Sequence, residues 1–346
     1  MDRRLILAVA GSGKSSYMIE RLNLQQRFLV VTYTENNVAH LKNKIIRKFG
    51  YEPQNITLLS YFQFLIRVCY RPFLKDSWSA TGVFWKMPDS NTLRLKRDNP
   101  LFYMTRGGCL YHNRLAKLCQ VRCLNSIRER IERFYDCFMF DEVQDLGGHD
   151  FNLIAAILPL NIDVFFVGDF FQHTFDTSKD GNVNISLYKD INRYIKTWEK
   201  TKLLVDTTTL NMSYRCSPTV CDFVTNELGI PMKSHRCDQV EIKLVDNETE
   251  AIELYNYKTI VKLFFSESCK YNCYAFNWGA SKGLDDFCDI CIVLNDTTLK
   301  AYNAGKLKEL KAETLNKFYV ACTRAKGNIY FISNKFISKY KRKSNC

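Results

Sequence analysis

Long apolar runs are missing from this sequence. None of its 346 residues sit in a stretch approaching the roughly 20 apolar residues that span a bilayer, which argues against an integral membrane protein. Metal-site spacing is nearly missing too. Cys288 and Cys291 form the one CxxC, inside the strand-like run FCDICIVL, and no second CxxC or paired His follows at zinc spacing. No internal repeat and no low-complexity tract is present. The opening MDRRLILAVAG imitates a signal peptide, but its apolar run stops at Gly11 and leads into GKSS, as a buried strand entering a phosphate loop would. Without a secretion signal, the fourteen cysteines read as reduced thiols of a cytoplasmic protein.

What is present is ordinary globular composition, 46% apolar and 25% charged, which excludes a largely disordered chain. The length suggests two domains or one large one. Lys plus Arg is 49 against 36 for Asp plus Glu, a net charge of +13. A surplus of that size favours a polyanionic partner, nucleic acid first, although a solubilising surface gives the same number.

Along the chain, apolar runs alternate with helix-like stretches. LILAVA, FLVVTYT, CFMF (137–140), DVFFVG (163–168), DICIVL (289–294) and NIYFIS (328–333) read as strands. GSGKSSYMIERLNLQQ and ENNVAHLKNKIIRKFG read as helices, the latter ending on Gly50. Such alternation predicts parallel α/β sheets, whose ligands bind at the carboxyl ends of the strands. Residues 72–108 break the rhythm with prolines, glycines and mixed aromatic and basic residues. They read as part of an insertion covering about 72–125. A second break, at 176–208, reads as the connection into a second domain.

Three constellations carry chemistry. Ala8-Val9-Ala10-Gly11-Ser12-Gly13-Lys14-Ser15 lies between a strand and a helix. Small residues let backbone N–H groups curl round phosphates, a Lys meets the β- and γ-oxygens, and a Ser hydroxyl reaches Mg²⁺. Ala8 stands where the strict pattern has its first Gly. In FMFDEVQD an apolar strand runs into two acids: Asp141 suits a metal and Glu142 an attacking water. In VGDFFQ, Gln172 follows a strand and could sense a γ-phosphate or the water.

AGSGKSS, TYTENN (32–37), FDEVQD (140–145), VGDFFQ (167–172), MSYR (212–215), SKGLDDF (281–287) and YVACTRAK (319–326) occur in the order of the motifs of UvrD/Rep-like superfamily 1 helicases. The chain resembles that family over nearly its whole length. The resemblance implies two RecA-like domains with parallel sheets, about 1–205 and 206–346, with ATP in the cleft between them. It implies phosphate and magnesium contacts from Ala10, Gly11, Ser12, Gly13, Lys14, Ser15 and Ser16, with Ser15 and Asp141 on the metal. Arg215 and Arg324 would be arginine fingers, Tyr214 would stack on adenine, and Lys282 and Gly283 would couple nucleotide to the strand. Thr32, Tyr33, Thr34, Ser60, Tyr61, Phe62 and Phe175 would meet single-stranded nucleic acid. TRAK reads as the start of a turn or helix before NIYFIS.

The sequence also departs from the family. Seven residues precede Ala8, so the adenine-reading glutamine motif usually found upstream is missing. The 65 residues between Arg215 and Ser281 leave no room for the large accessory domain of full-length relatives. HTFDTSKD replaces the usual SIYRWRGA-like run after Gln172. The expectation is a stripped two-domain motor: an ATP-dependent helicase or translocase on single-stranded DNA, 3′ to 5′, with RNA left open. A protein partner in a repair, replication or defence complex fits this reading. The alternative is an ATP-gated nucleic-acid-binding subunit that unwinds nothing by itself.

Overall fold

The computed structural model describes residues 1–174 and 178–343, and they form α/β structure in two compact units, each with a parallel sheet. The first unit comprises residues 1–7, 14–168 and 178–206; the second comprises 8–13, 169–174 and 207–343.

The sheet of the first unit has six strands in the order Ile56–Ser60, Phe28–Thr32, Cys137–Asp141, Asp163–Gly168, Arg3–Leu7 and Leu204–Asp206. Every neighbouring pair is parallel. Strands covered on both faces need apolar side chains throughout, and Phe28–Thr32 and Cys137–Asp141 are buried along their whole length. Because the strands run the same way, their carboxyl ends share one edge. Register there sets Thr32 beside Ser60 on one side and Asp141 on the other.

Helix boundaries follow local chemistry. Thr34 caps Glu35–Phe49 by accepting the Asn37 N–H, and Gly50 closes the helix in the left-handed conformation. The short helix Lys14–Glu20 stops at Glu20 and does not include the LNLQQ expected to continue it. Part of the expected insertion is well formed. Gly82–Phe84 pairs with Cys109–Tyr111, and the 23-residue helix His112–Phe134 follows directly. The stretch read as a connector also carries structure: the helix Ile191–Glu199 and the sheet-edge strand Leu204–Asp206. Three residues inside a polar stretch are too short to show as an apolar run.

In the second unit the strand order is Ile242–Val245, Ile329–Ser333, Ile290–Leu294, Val261–Phe264 and Ala275–Asn277, again all parallel. Its core gathers Trp278, Phe318 and Phe331, and Val9 and Ala10 pack into the same cluster. Thr323 is the C-cap of the helix Ala312–Cys322. Thr323 and Arg324 form the turn that TRAK was expected to start, directly after the helix and ahead of the strand Ile329–Ser333. Among the described residues twelve cysteines are free thiols. Cys269 is disulfide-bonded, a departure from the all-reduced reading that no spacing in the sequence announces. No helix among the described residues is long and apolar enough to cross a membrane.

Candidate functional site

The loop that follows the first strand is held by its backbone within the second unit. Val9 N–H donates to the Leu210 carbonyl at 2.9 Å, and Tyr214 N–H donates to the Gly11 carbonyl at 2.9 Å. Ala10 N–H donates to the Tyr319 hydroxyl at 2.8 Å, and that hydroxyl donates to Oδ2 of Asp169 at 3.0 Å. Burial, and then the Asp169 charge, hold the Tyr319 phenol well above its usual range. Tyr319 thus stays a neutral donor. Sequence reasoning quoted both motifs that contain these residues but gave neither residue a role.

Gly11 has φ +72°, and a Cβ there would lie 2.6 Å from the Ser213 hydroxyl and 2.7 Å from Cβ of Arg215. Only glycine fits so close an approach in that conformation. Gly13 lies under the ring of Tyr214, whose nearest carbon would be 3.8 Å from a Cβ. Tyr214 is 64% exposed and stacks on His235 with centroids 3.9 Å apart and planes 10° apart. Ser12 is buried, and its hydroxyl has no hydrogen-bond partner among the described residues.

Arg215 and Arg324 meet at one carboxylate, which the sequence did not single out. Arg215 reaches Oδ1 of Asp285 at 2.6 Å, and Arg324 reaches the same oxygen at 3.3 Å. Arg215 also donates to the Thr323 carbonyl, and Arg324 to the Val320 carbonyl. Arg324 is 2% exposed; burial, and then the charge of Arg215, push its pKa down to about 10. Lys282 is half-buried, and Gly283 is exposed with φ +83°. Gln172 is buried, and its N–H closes a turn on the Asp169 carbonyl.

In the first unit, Lys14 is buried at the start of Lys14–Glu20, Ser15 is half-buried and Ser16 is exposed, accepting from Lys44 at 3.1 Å. Asp141 is 2% exposed at the end of its strand. Glu142 takes the left-handed conformation at φ 59°, uncommon for a residue with a side chain, and accepts a hydrogen bond from the Gln144 amide. Gly168 makes room for that turn: a Cβ there would lie 2.7 Å from Val143.

Residues expected to meet a strand gather at the same sheet edge. Tyr33 stacks on Tyr61, with centroids 5.7 Å apart and planes 12° apart. Tyr61 itself is buried, packed on Phe64 and Phe140. Thr32 is buried, Thr34 is a helix cap, and Ser60 caps its helix while donating to Glu35 at 2.6 Å. Phe62 is half-buried against Trp85. Phe175 lies outside the described residues.

Within the second unit, the Gly11 cradle and the Ser12 hydroxyl are features that a phosphate group fits. Ser15 and Asp141 could hold magnesium. Among the described residues no three His, Cys, Asp or Glu gather as a metal site. A magnesium ion held by one or two protein groups, phosphates and water fits that poverty of ligands.

No protein-family model and no curated protein matches the chain. Solved structures do. A PRRSV helicase shares 14% identity at TM-score 0.48, covering 96% of this chain and 52% of its own. An arterivirus nonstructural protein 10 helicase in complex with DNA shares 12% at TM-score 0.50, with coverage of 97% and 62%. The same arterivirus protein, in a second crystal structure, shares 13% at TM-score 0.51, with coverage of 98% and 62%. The chain thus spans about half to two-thirds of the length of these structures. At such identities the likeness is one of fold: α/β domains with parallel sheets.

Proposed function

We propose that this chain is an ATP-dependent helicase or translocase of the UvrD/Rep-like kind, moving 3′ to 5′ on single-stranded DNA. The observation that carries this is the close approach of Arg215 to Gly11, where a Cβ on the glycine would lie 2.7 Å from the arginine's own. An arginine seated on a phosphate loop is placed to sense what the loop holds.

Each residue then has a task. Lys14 compensates phosphate charge. Ser15 and Asp141 would hold magnesium, which would supply positive charge to offset that of the phosphates. Glu142 orients the attacking water and accepts its proton. Gln172 reads the γ-phosphate position, and Arg215 and Arg324 stabilise the transferring group through their planar guanidinium forks. Tyr214 offers its exposed ring to the base. Tyr33 presents a face to the strand, backed by buried Tyr61. DNA in one of the similar structures and the +13 charge both support a nucleic-acid track.

Strand displacement with 3′-tailed and 5′-tailed duplexes tests this. Opening of the 3′-tailed substrate alone is expected. ATP hydrolysis with neither duplex opened would favour the ATP-gated binding subunit instead.

A further inference from the structure

Four tryptophans occur in the chain, and their surroundings differ sharply. Trp198 and Trp278 are fully buried and Trp78 is half-buried, but Trp85 is 63% exposed. Leaving the largest side chain in water forgoes the gain of burying it, so its position asks for a use. The residue is not on a loose loop. It follows the strand Gly82–Phe84, whose Phe84 packs edge-on against Tyr111 with centroids 5.8 Å apart. His112 approaches the Phe84 carbonyl at 3.2 Å, and its ring stacks on Trp85 at 5.6 Å. Phe62 also lies against the indole at 4.7 Å, with its plane tilted 45°. Trp85 is therefore held from a strand end, a helix start and the segment that carries Ser60 and Tyr61.

The segment that carries Trp85 has one dominant sign of charge. Residues 82–106 contain five Lys or Arg and two Asp. Lys86, Arg94, Lys96 and Arg97 are all exposed. An exposed indole in a segment rich in exposed cations matches the needs of an unpaired nucleobase next to its phosphate: a π-face to stack on and positive charge for the backbone. A duplex hides its base faces, so the partner this surface fits is single-stranded.

We propose that Trp85, flanked by Phe62 and His112, is a stacking platform for a base of single-stranded nucleic acid. It would extend the track beyond the motif residues onto the insertion. The proposal rests on the reading that the chain binds such strands.

Oligo-dT titrations that follow both tryptophan emission and anisotropy of a labelled strand test it. In the wild type, binding should quench emission. Trp85→Phe should bind within about threefold of wild type, since a phenyl ring still stacks, but lose most of the quench. Trp85→Ala should bind about five- to a hundredfold more weakly, the range set by one lost base stack. Its melting temperature and its turnover without DNA should not change, because the side chain is exposed and remote from the phosphate loop in sequence. Wild-type affinity in Trp85→Ala, or an undiminished quench in Trp85→Phe, would overturn the platform while leaving strand binding intact. A wild type that does not bind oligo-dT would overturn the strand-binding reading and the platform with it.

Discussion

Arg215 and Arg324, 109 residues apart in sequence, share a single carboxylate oxygen, Oδ1 of Asp285, at 2.6 and 3.3 Å. Two guanidiniums in one place repel, and one of them is buried. Asp285 offsets that repulsion and fixes the spacing of the pair. Its own side chain is 54% exposed, so its direct contribution to stability is small, about 1 kcal/mol or less.

Asp285→Asn should therefore separate two effects. Melting temperature should change little, while turnover of ATP falls about tenfold, equivalent to about 1.4 kcal/mol of barrier. Steady-state kinetics beside a thermal melt decides it. A large loss of stability with normal turnover would make Asp285 a structural residue only.

Arg324→Ala should cut hydrolysis at least about a hundredfold, a conservative floor for an arginine finger. Its burial adds a consequence absent from the sequence: removal leaves a cavity, so this variant should also melt at lower temperature. Arg324→Lys keeps more volume and should recover stability but little turnover, because an ammonium lacks the planar fork. Recovery of turnover by Lys would contradict the finger role.

Tyr319→Phe deletes the hydroxyl that accepts from Ala10 N–H and donates to Asp169. Two buried groups each lose a hydrogen bond, which should cost about 1–3 kcal/mol in denaturant unfolding. Nucleotide affinity should fall as well, since the phosphate loop loses a fixed contact. Unchanged affinity in a destabilised variant would limit Tyr319 to the core.

Asp150 gives a pH signature. It is buried, and burial pushes its pKa up to about 7, with Tyr61 and Ser178 acting the other way. The unfolded carboxyl titrates near 4. Between those values the folded protein holds a proton that the unfolded chain has released, so stability from this group is complete below about pH 4 and lost as pH rises through about 7. Asp150→Asn should remove that part of the slope. Melting curves at pH 5 and pH 8 for both proteins check the sign; equal slopes would place the charge cost elsewhere.

Much of the sheet was legible because fully buried parallel strands must be apolar along their length, as in FLVVT and DVFFVG. The glycine loop and the acidic pair were legible because their chemistry allows few residue types. The strand Leu204–Asp206 escaped notice because three residues at a sheet edge leave no periodic trace. Tyr319 and Asp285 escaped as well. Their roles rest on contacts spanning up to 309 residues of sequence, and no local spacing encodes such contacts. Trp85 was one aromatic among many until its exposure was seen.

On the proposed function, nucleotide hydrolysis and strand binding belong to one cycle. Steady-state ATP turnover with and without oligo-dT tests it most directly. Turnover should rise severalfold or more with the strand, and Glu142→Gln should abolish turnover under both conditions while still binding ATP. Equal turnover of the wild type with and without the strand would contradict the account.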